Sequence, residues 1–508
     1  MTPRHTVWVL GDQLHRSLPA LAAADPSTHR VLMVESAAKV RSKRWHVQRA
    51  HFVLTSMRRF ADELRTLGFE VDHRPATSLA AGYRAHVAAF SPATVSATEP
   101  ASIDGRALLE RLGVQLTRTT QFLCHPDEFA GWVENHLRTR KTFKMEDFYR
   151  WQRVRLGYLL DADGGPEGGR WNFDAENREP PPKDGVNRWP EPMRTPLDDV
   201  DRGVLATLAD DHTGSTWGAQ PDGTWATDRA GALARLAHFV EHVLPVFGPH
   251  EDAMTSASWH VGHSLLSPYM NVGLLSPREV CDAVEAAYRA GRVPIASAEG
   301  FIRQVIGWRE YVWGLYWWWG AAYRHENALE ATMPLPPAFR GQAPTRMRCL
   351  SITLRDLHDH GYVHHIQRLM VLGNLSLLAG IDPAQVVDWM WSGFIDGAEW
   401  VMLPNVVGMA LHADGGRMAT KPYAAGGAYI DRMSDYCKGC AFDRTKRVGD
   451  DACPFTTLYW DFMARHEERF LKNARVAQQV RAAQRLSDLP AVRAHAVTLR
   501  HALQSGQL

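Results

Sequence analysis

The hydrophobic periodicity of this chain changes character near its middle, and that change constrains the fold more than any single motif. Up to about residue 120, short β-rich runs alternate with helical stretches: Thr6 to Leu10, Val31 to Glu35, Thr94 to Ala97 and Val114 to Leu116 read as strands. Between the second and third of these, Val47 to Leu67 carries apolar residues at helical spacing and stops at Gly68, a residue suited to closing a helix. That alternation predicts a parallel, Rossmann-like α/β unit. Beyond Ala230 nearly every periodic segment is helical, with breaks at Phe247-Gly248-Pro249, Met333 to Pro337 and Ala413 to Gly416, so the second half is predicted to be all-α. The period is lost from about Glu128 to Thr227, and Asp161 to Arg202 is rich in Gly, Pro, Asp and Asn, as in an extended connector. The expected organisation is an α/β unit over 1–127, a connector over 128–229 and a helical unit over 230–508.

A chain of 508 residues has room for two or three folding units and a large buried interior. Its 18 tryptophans are many for an otherwise ordinary soluble composition and ask for an explanation. No apolar run reaches the length of a membrane span, and the start, MTPRHTVWVLGDQ, lacks the features of a secretory leader, so a cytoplasmic protein without membrane contact is expected. The net charge of +1 gives no global attraction for nucleic acid. Contact with phosphate would need a local patch, for which KVRSKRWHVQR at 39 to 49 is the candidate, although a solvated helix start reads the same way. The stretch from Leu471 to Leu508 alternates Arg with Ala, Val and Leu and reads as a solvated amphipathic helix.

Six cysteines are far too few for a disulfide scaffold in a chain of this length, and their clustering points to metal. Cys437 and Cys440 form a CxxC pair around Gly439, and Cys453 follows with Pro454 behind it. A thiolate pair at this spacing closes on one metal or one cluster edge, and a Cys-Pro step recurs in ferredoxin-type ligation. Cys349 is the candidate fourth ligand, because Cys124 lies in the other unit and Cys281 in a helix-like run, where buried thiols are commonplace. Spacing alone leaves a structural zinc and an iron-sulfur cluster both open. A redox dithiol is disfavoured, since the motif does not open a helix after a strand.

Two further segments carry chemistry. His263 to Tyr269 reads HSLLSPY, where hydroxyls and a helix start could receive a phosphate, and Glu299 to Tyr311 reads EGFIRQVIGWREY, where Arg303, Arg309 and Glu310 could share one helix face. Alone, the first is a helix start and the second a salt-bridged surface. Together and in order they match the photolyase/cryptochrome superfamily, whose flavin pocket resembles a Ser-x-Leu-Ser-Pro turn followed by a Phe-x-Arg-Gln-x-x-x-Trp-Arg-Glu helix. More narrowly, the chain resembles the iron-sulfur bacterial cryptochromes and photolyases, also called prokaryotic (6-4) photolyases, over essentially its whole length. The stretches that carry this are LGDQL at 10 to 14, KMEDFYRWQRVRLG at 144 to 157, GGRWNFDAENR at 168 to 178, GWREYVWG at 307 to 314, VMLPNVVGMA at 401 to 410, and KPYAAGGAYIDRMSDYCKGC with ACPFTTLYW behind it.

The resemblance implies a photolyase fold with FAD in the helical half, a [4Fe-4S] cluster on Cys349, Cys437, Cys440 and Cys453, and a lumazine antenna, 6,7-dimethyl-8-ribityllumazine, in the α/β half. For FAD it implies Ser264, Leu265, Ser267, Gln304, Trp308, Arg309, Tyr311, His364, Arg368, Asp396 and Asn405. Gly11, Asp12, Gln13, Leu14 and Glu35 are the antenna candidates, at C-terminal strand ends where such sheets bind ligands. The implied partner is UV-damaged DNA, met by a monomer, and the implied reaction passes an electron from excited reduced flavin to a flipped-out (6-4) lesion and back. His365 matches the proton donor, and Tyr423 and Tyr429 match residues that pack against the extruded bases. Asp174 and Asp252 are candidates to hold Mg2+. Trp389 and Trp391 are the electron-relay candidates, but Gly341 and Met390 stand where relatives carry aromatic residues, and Met402 where they often carry an acid. Those departures keep a second expectation alive: a blue-light cryptochrome of the same fold that signals and does not repair. A light-independent iron-sulfur protein that binds nucleic acid is the third, and would leave the flavin site empty.

Overall fold

The computed structural model describes residues 4–182, 184–210 and 216–508. Five parallel strands form one sheet in the order Glu70–Ala76, His29–Ser36, His5–Trp8, Thr94–Thr98, Gln115–Thr117. The central strand pairs on both sides, Val7 with Val31 and with Ser96, and Val7 and Trp8 are fully buried. Its unbroken apolar run suits a strand covered on both faces. Four of the five strands were expected. The fifth, EVDHRPA, is a half-exposed edge with a proline and no apolar alternation, so nothing local marks it; its pairing with Arg30 to Ser36 makes it a strand.

Helix Val47–Thr66 closes as its sequence predicts. Gly68 adopts φ +90°, its N–H donates to Arg65 O, and Phe69 N–H donates back to Leu64 O, the paired bonds of a glycine-terminated helix. The helix joins the two halves of the molecule. Gln48 donates to Ala219 O and Asp359 O, Trp225 Nε1 donates to Gln48 Oε1, and Phe52 packs edge-on to Tyr269 at 5.8 Å. One apolar core runs from Val7 and Val31 of the sheet through Phe129 and Phe148 to Tyr311 and Ile395.

The middle of the chain is less open than its composition suggests. The described residues between 161 and 198 are irregular apart from single turns, but helices Pro126–Leu137, Met145–Leu156 and Asp199–Asp210 flank them. The first two present Phe129, Trp132, Phe148 and Tyr149 inward while their long charged side chains mask the period. Phe129 reaches Tyr311 at 5.9 Å, filling space left by the missing side chain of Gly314. Beyond Arg229 the described residues contain helices and turns and no further strand. None of the described helices is long and apolar enough to cross a membrane. The C-terminal stretch is two helices, Ala477–Gln484 and Leu489–Ser505, and the second is not free in solvent: Val492, Ala496, Leu499 and Leu503 are buried and Arg500 holds Asp461 at 2.6 Å.

Buried imidazoles at the seam of the two halves set an acid limit on stability. His46 donates through Nε2 to His358 O, His260 is equally buried, and desolvation pushes both down to about 4. Between pH 6.5 and 4 the unfolded chain binds protons that the folded one excludes, so stability falls as pH falls through that window, by about 3 kcal/mol per imidazole when complete. Unfolding midpoints measured from pH 7.5 to 4.5 should drop steeply below 6.5, and His46→Gln should flatten part of that slope. A midpoint constant over this range would remove the assignment.

Candidate functional site

Four cysteines come together from three separate parts of the helical half. Cys349 lies in the first turn of helix Arg348–His360, Cys437 and Cys440 flank a tight turn in which Gly439 takes φ +76°, and Cys453 caps helix Pro454–Arg465. All four are free thiols lining one cavity with Met347, Ile430, Phe442 and Phe455. A side chain on Gly427 would stand 2.9 Å from Cys453 Sγ, so glycine there leaves the sulfur its room. Burial and the neighbouring sulfurs push Cys349 far above the ordinary thiol range and Cys437 up to about 12. Thiolates here need a strongly cationic centre to form at all. Among the described residues no three His, Cys, Asp or Glu side chains are grouped to hold a single metal ion. Cys124 and Cys281 lie elsewhere, buried near Glu310, which accepts from Cys124 N–H at 2.8 Å.

A second set of polar side chains gathers around Asp396. Ser267 Oγ donates to its carboxylate at 2.7 Å, Arg368 pairs with it at 3.0 Å, and Asn271 donates to its backbone carbonyl at 2.8 Å. The Ser267 hydroxyl is therefore engaged by a carboxylate and does not stand open for a phosphate. Leu265, just before, takes φ +57°, a left-handed conformation that strains a leucine. His364 is fully buried and stacks on His263 at 4.7 Å; burial drives it well below, and His263 to about 3, so both rings are neutral. Several polar atoms here are buried with no protein partner: both ring nitrogens of His364, Nε2 of His263 and Nη2 of Arg368. Buried donors in such numbers call for a polar ligand, and their mix of a cation and neutral rings suits a phosphate-bearing heterocycle.

The other candidates spread around this group. Gln304 donates to Glu251 at 2.5 Å, Asn405 donates to Val401 O of its own helix, and Tyr311 packs with Trp308, Phe129 and Phe148. Arg303 and Arg309 do not share a face: the first meets Glu299 and Asp174, the second Glu310 and Phe122. The reason is that Arg303–Arg309 is a π-helical segment, as are Gln367–Gly373 and Pro404–Ala410, which contain Arg368 and Asn405. Wider turns of this kind concentrate at functional sites, and no residue pattern announces them.

A carboxylate network borders the tyrosine candidates. Asp174 pairs with Arg178 and, at 3.4 Å, with Arg303; Arg178 also reaches Asp252 at 3.9 Å. Burial and nearby acids raise Asp252 and lift Glu251 to about 7. Glu251 and Glu299 were not anticipated, because their partners Asn177, Phe173 and Tyr149 lie 74 to 150 residues away. Tyr423 and Tyr429 are half-buried beside this network, and the loop between them is pinned where Ala425 and Asn374 exchange two hydrogen bonds, at 2.8 and 3.0 Å. His365 is solvent-exposed yet crowded by protein and by Arg368, which push it down to about 4; the water that reaches it relieves part of that penalty.

In the α/β half, residues 11–14 and Glu35 sit at adjacent C-terminal strand ends. Gln13 is turned inward to Thr98 O and Glu99 O, Leu14 N–H donates to Val272 O across the seam, and Gly11 faces Met57. Asp12 is half-buried and raised by desolvation, with Lys39 and Arg49 nearby. Glu35 is gripped by Arg58 and His73, which hold it at about 2. Within the basic patch, Lys43 pairs with Asp388 and Arg49 donates to Trp391 O and Phe394 O, so these two hold the halves together. Trp389 and Trp391 face different ways: Trp389 Nε1 donates to Phe339 O, while Trp391 meets Trp45 at 6.2 Å.

Against known proteins, residues 7–225 match the family described as deoxyribodipyrimidine photo-lyase-related protein. The (6-4) photolyase of Agrobacterium fabrum is 40% identical over 494 residues, covering 95% of this chain and 96% of that protein. The fold is similar to the crystal structure of a bacterial class III photolyase from Agrobacterium tumefaciens, with a TM-score of 0.59 at 16% identity over 99% of this chain and 98% of that one. It is also similar to the cryptochrome of Synechocystis sp. PCC6803, with a TM-score of 0.53 at 14% identity over 100% and 94%.

Proposed function

This chain belongs to the deoxyribodipyrimidine photo-lyase-related family, and from that premise we propose that it is a light-driven DNA (6-4) photolyase. The observation that carries the reading is the likeness to a (6-4) photolyase over nearly the whole of both chains. FAD would supply a photo-excited electron donor, a [4Fe-4S] cluster would organise the C-terminal helices, and a lumazine would gather light.

The chain's own residues have separate tasks in this scheme. Arg368, Arg309 and His364, with their unpartnered buried donors, would hold the flavin nucleotide, and the bond of Asp396 to Ser267 and Arg368 would fix the turn around it. Cys349, Cys437, Cys440 and Cys453 would ligate the cluster. Four thiols that line one cavity, with Pro454 behind Cys453, suit a cubane in which each iron takes one cysteine. His365, accessible to solvent, would give a hydrogen bond or a proton to the lesion, and Tyr423 and Tyr429 would pack against the extruded bases. Asp174 and Asp252, which share Arg178 as a neighbour, would hold Mg2+ near DNA phosphate. Gly11, Asp12 and Glu35 would border the antenna in unit 1–127, with the flavin in unit 230–508.

The test is repair of duplex DNA carrying a (6-4) photoproduct, or a cyclobutane dimer in parallel, under blue light and in darkness. Light-dependent loss of the (6-4) lesion alone is expected. Photoreduction of bound flavin with no repair of either lesion would overturn the photolyase reading in favour of a receptor, and a purified protein without flavin absorbance would leave only an iron-sulfur protein.

A further inference from the structure

The helical half holds a second cavity, of about 440 Å³, which shares no lining residue with the cysteine cavity or with the group around Asp396. Its size lies within the range of small-molecule sites, about 300 to 1,000 Å³. Backbone hydrogen bonds tie its lining segments to one another: Met333 N–H donates to Gly380 O at 2.9 Å, Asp382 N–H to Met333 O at 2.8 Å, and Ala328 N–H to Ala413 O at 2.7 Å. Leu329, Met333, Leu377, Ile381 and Leu411 give it an apolar lining. Glu330 takes φ +54°, in a turn closed by two bonds that Asn327 exchanges with Ala331, each 2.9 Å. Strained residues of this kind collect at ligand clamps.

The polar lining is cationic. Arg465 closes helix Pro454–Arg465 and Arg500 comes from helix Leu489–Ser505. Arg465 Nε and Arg500 Nη1 donate to the same oxygen, Oδ2 of Asp461, at 2.7 and 2.6 Å, and Arg465 Nη2 donates to Leu378 O at 2.6 Å. One buried carboxylate therefore serves two guanidiniums. Both arginines remain partly open, and Nη1 of Arg465 with Nε and Nη2 of Arg500 have no acceptor among the described residues. Burial pulls Arg465 down against the attraction of Asp461, and the cations of Arg500 and Arg493 add to that pull, so a second anion would relieve it. Burial and the cations at 465 and 469 also keep His466, in the same lining, neutral. The one acid that lines the cavity itself is Glu330, which is exposed. Pairing with Asp461 needs a single arginine; two guanidiniums with open donors match the oxygens of a phosphate.

We propose that this cavity binds a small organic phosphate with an apolar body, of which a nucleoside monophosphate is the simplest form, with the phosphate on Arg465 and Arg500 and the body against Leu329, Met333 and Ile381. The site is independent of the flavin assignment above. Its ligand would join helix Leu489–Ser505 to the turn at Glu330 and to helix Pro454–Arg465, and so hold the C-terminal helix to the rest of the helical half.

The experiment titrates AMP, adenosine and inorganic phosphate by calorimetry into the full-length protein as purified, in phosphate-free buffer, with flavin absorbance followed in parallel. AMP should bind once per chain, and adenosine and phosphate each about tenfold more weakly or worse. Val497→Glu sets a carboxylate one helical turn from Arg500 to compete for its donors, and Arg500→Gln removes the cation; each should weaken AMP by about tenfold. Arg500→Lys should keep most of the binding, and Glu330→Gln should tighten it. Val497 is 59% exposed and Glu330 is exposed, so these two variants should unfold at the parental midpoint and decide the matter where Arg500→Gln loosens its helix. No binding of AMP to the parent, or unchanged binding in Val497→Glu, would overturn the site. Release of flavin by AMP would move the nucleotide to the flavin pocket and overturn it too, and phosphate binding as tight as that of AMP would overturn the organic body.

Discussion

Replacing His365 by alanine should reduce light-driven repair of a (6-4) lesion at least a hundredfold while flavin absorbance and thermal stability stay close to parental values. The side chain is solvent-exposed, so its removal empties no packed core, and the buried neighbours His364 and Gln367 keep their places. The size of the loss follows from what a positioned acid contributes, about 10² to 10⁴-fold. Its pH dependence follows from the environment. Crowding and the Arg368 cation lower the ring's affinity for a proton in the DNA-free protein, so the neutral imidazole dominates at pH 7. A bound polyanion must raise that affinity, or the neutral ring must act through its one remaining N–H. The two cases separate in a pH profile. If the imidazolium is required, repair by the parental protein falls as pH rises above the pKa reached in the DNA complex, and His365→Asn loses that limb; if the neutral N–H suffices, the parental profile is flat there. Repair at parental rate by His365→Ala would remove the residue from the chemistry altogether.

How much of this was legible in advance depended on whether the information was local. The parallel sheet was, because VWVL and RVLMV are apolar runs bounded by turn residues; the edge strand Glu70–Ala76 was not, because only its neighbour Arg30 to Ser36 makes it a strand. The four cysteines could be chosen out of six from spacing and surroundings, and they do line one cavity. Ser267 and Asp396 were both named, but the bond between them spans 129 residues and changes what the hydroxyl is free to do. The π-helical segments that carry Gln304, Arg368 and Asn405 leave no mark on composition. Glu251 and Glu299 were missed for a related reason: a buried acid reads as a surface residue until its partners are known, and theirs lie in the irregular middle of the chain.

Serine in place of Cys453 should remove the iron and most of the fold's C-terminal stability together, whereas serine in place of Cys281 should cost stability alone. Both thiols are buried, so both substitutions place a hydroxyl where sulfur packed, a penalty of about 1 to 3 kcal/mol if the hydroxyl finds no partner. The sites differ in what else meets there. Around Cys281 there is helix packing and the Glu310 carboxylate. Around Cys453 three more sulfurs face the same cavity, and helix Pro454–Arg465, which Cys453 caps, supports Leu489–Ser505 through the Arg500–Asp461 pair. A centre bound only by the native state adds its binding free energy to stability, and structural metal sites reach about 10 kcal/mol in this way. Losing one of four ligands should therefore cost several kcal/mol beyond the hydroxyl penalty. Iron and sulfide analysis of protein purified without oxygen should find about four of each per chain in the parent and in Cys281→Ser, and close to none in Cys453→Ser, with a much lower unfolding midpoint in that variant only. One zinc per chain and no iron would replace the cluster with a structural zinc. Full iron content in Cys453→Ser would remove Cys453 from the ligand set, and with it the reason its helix is built where it is.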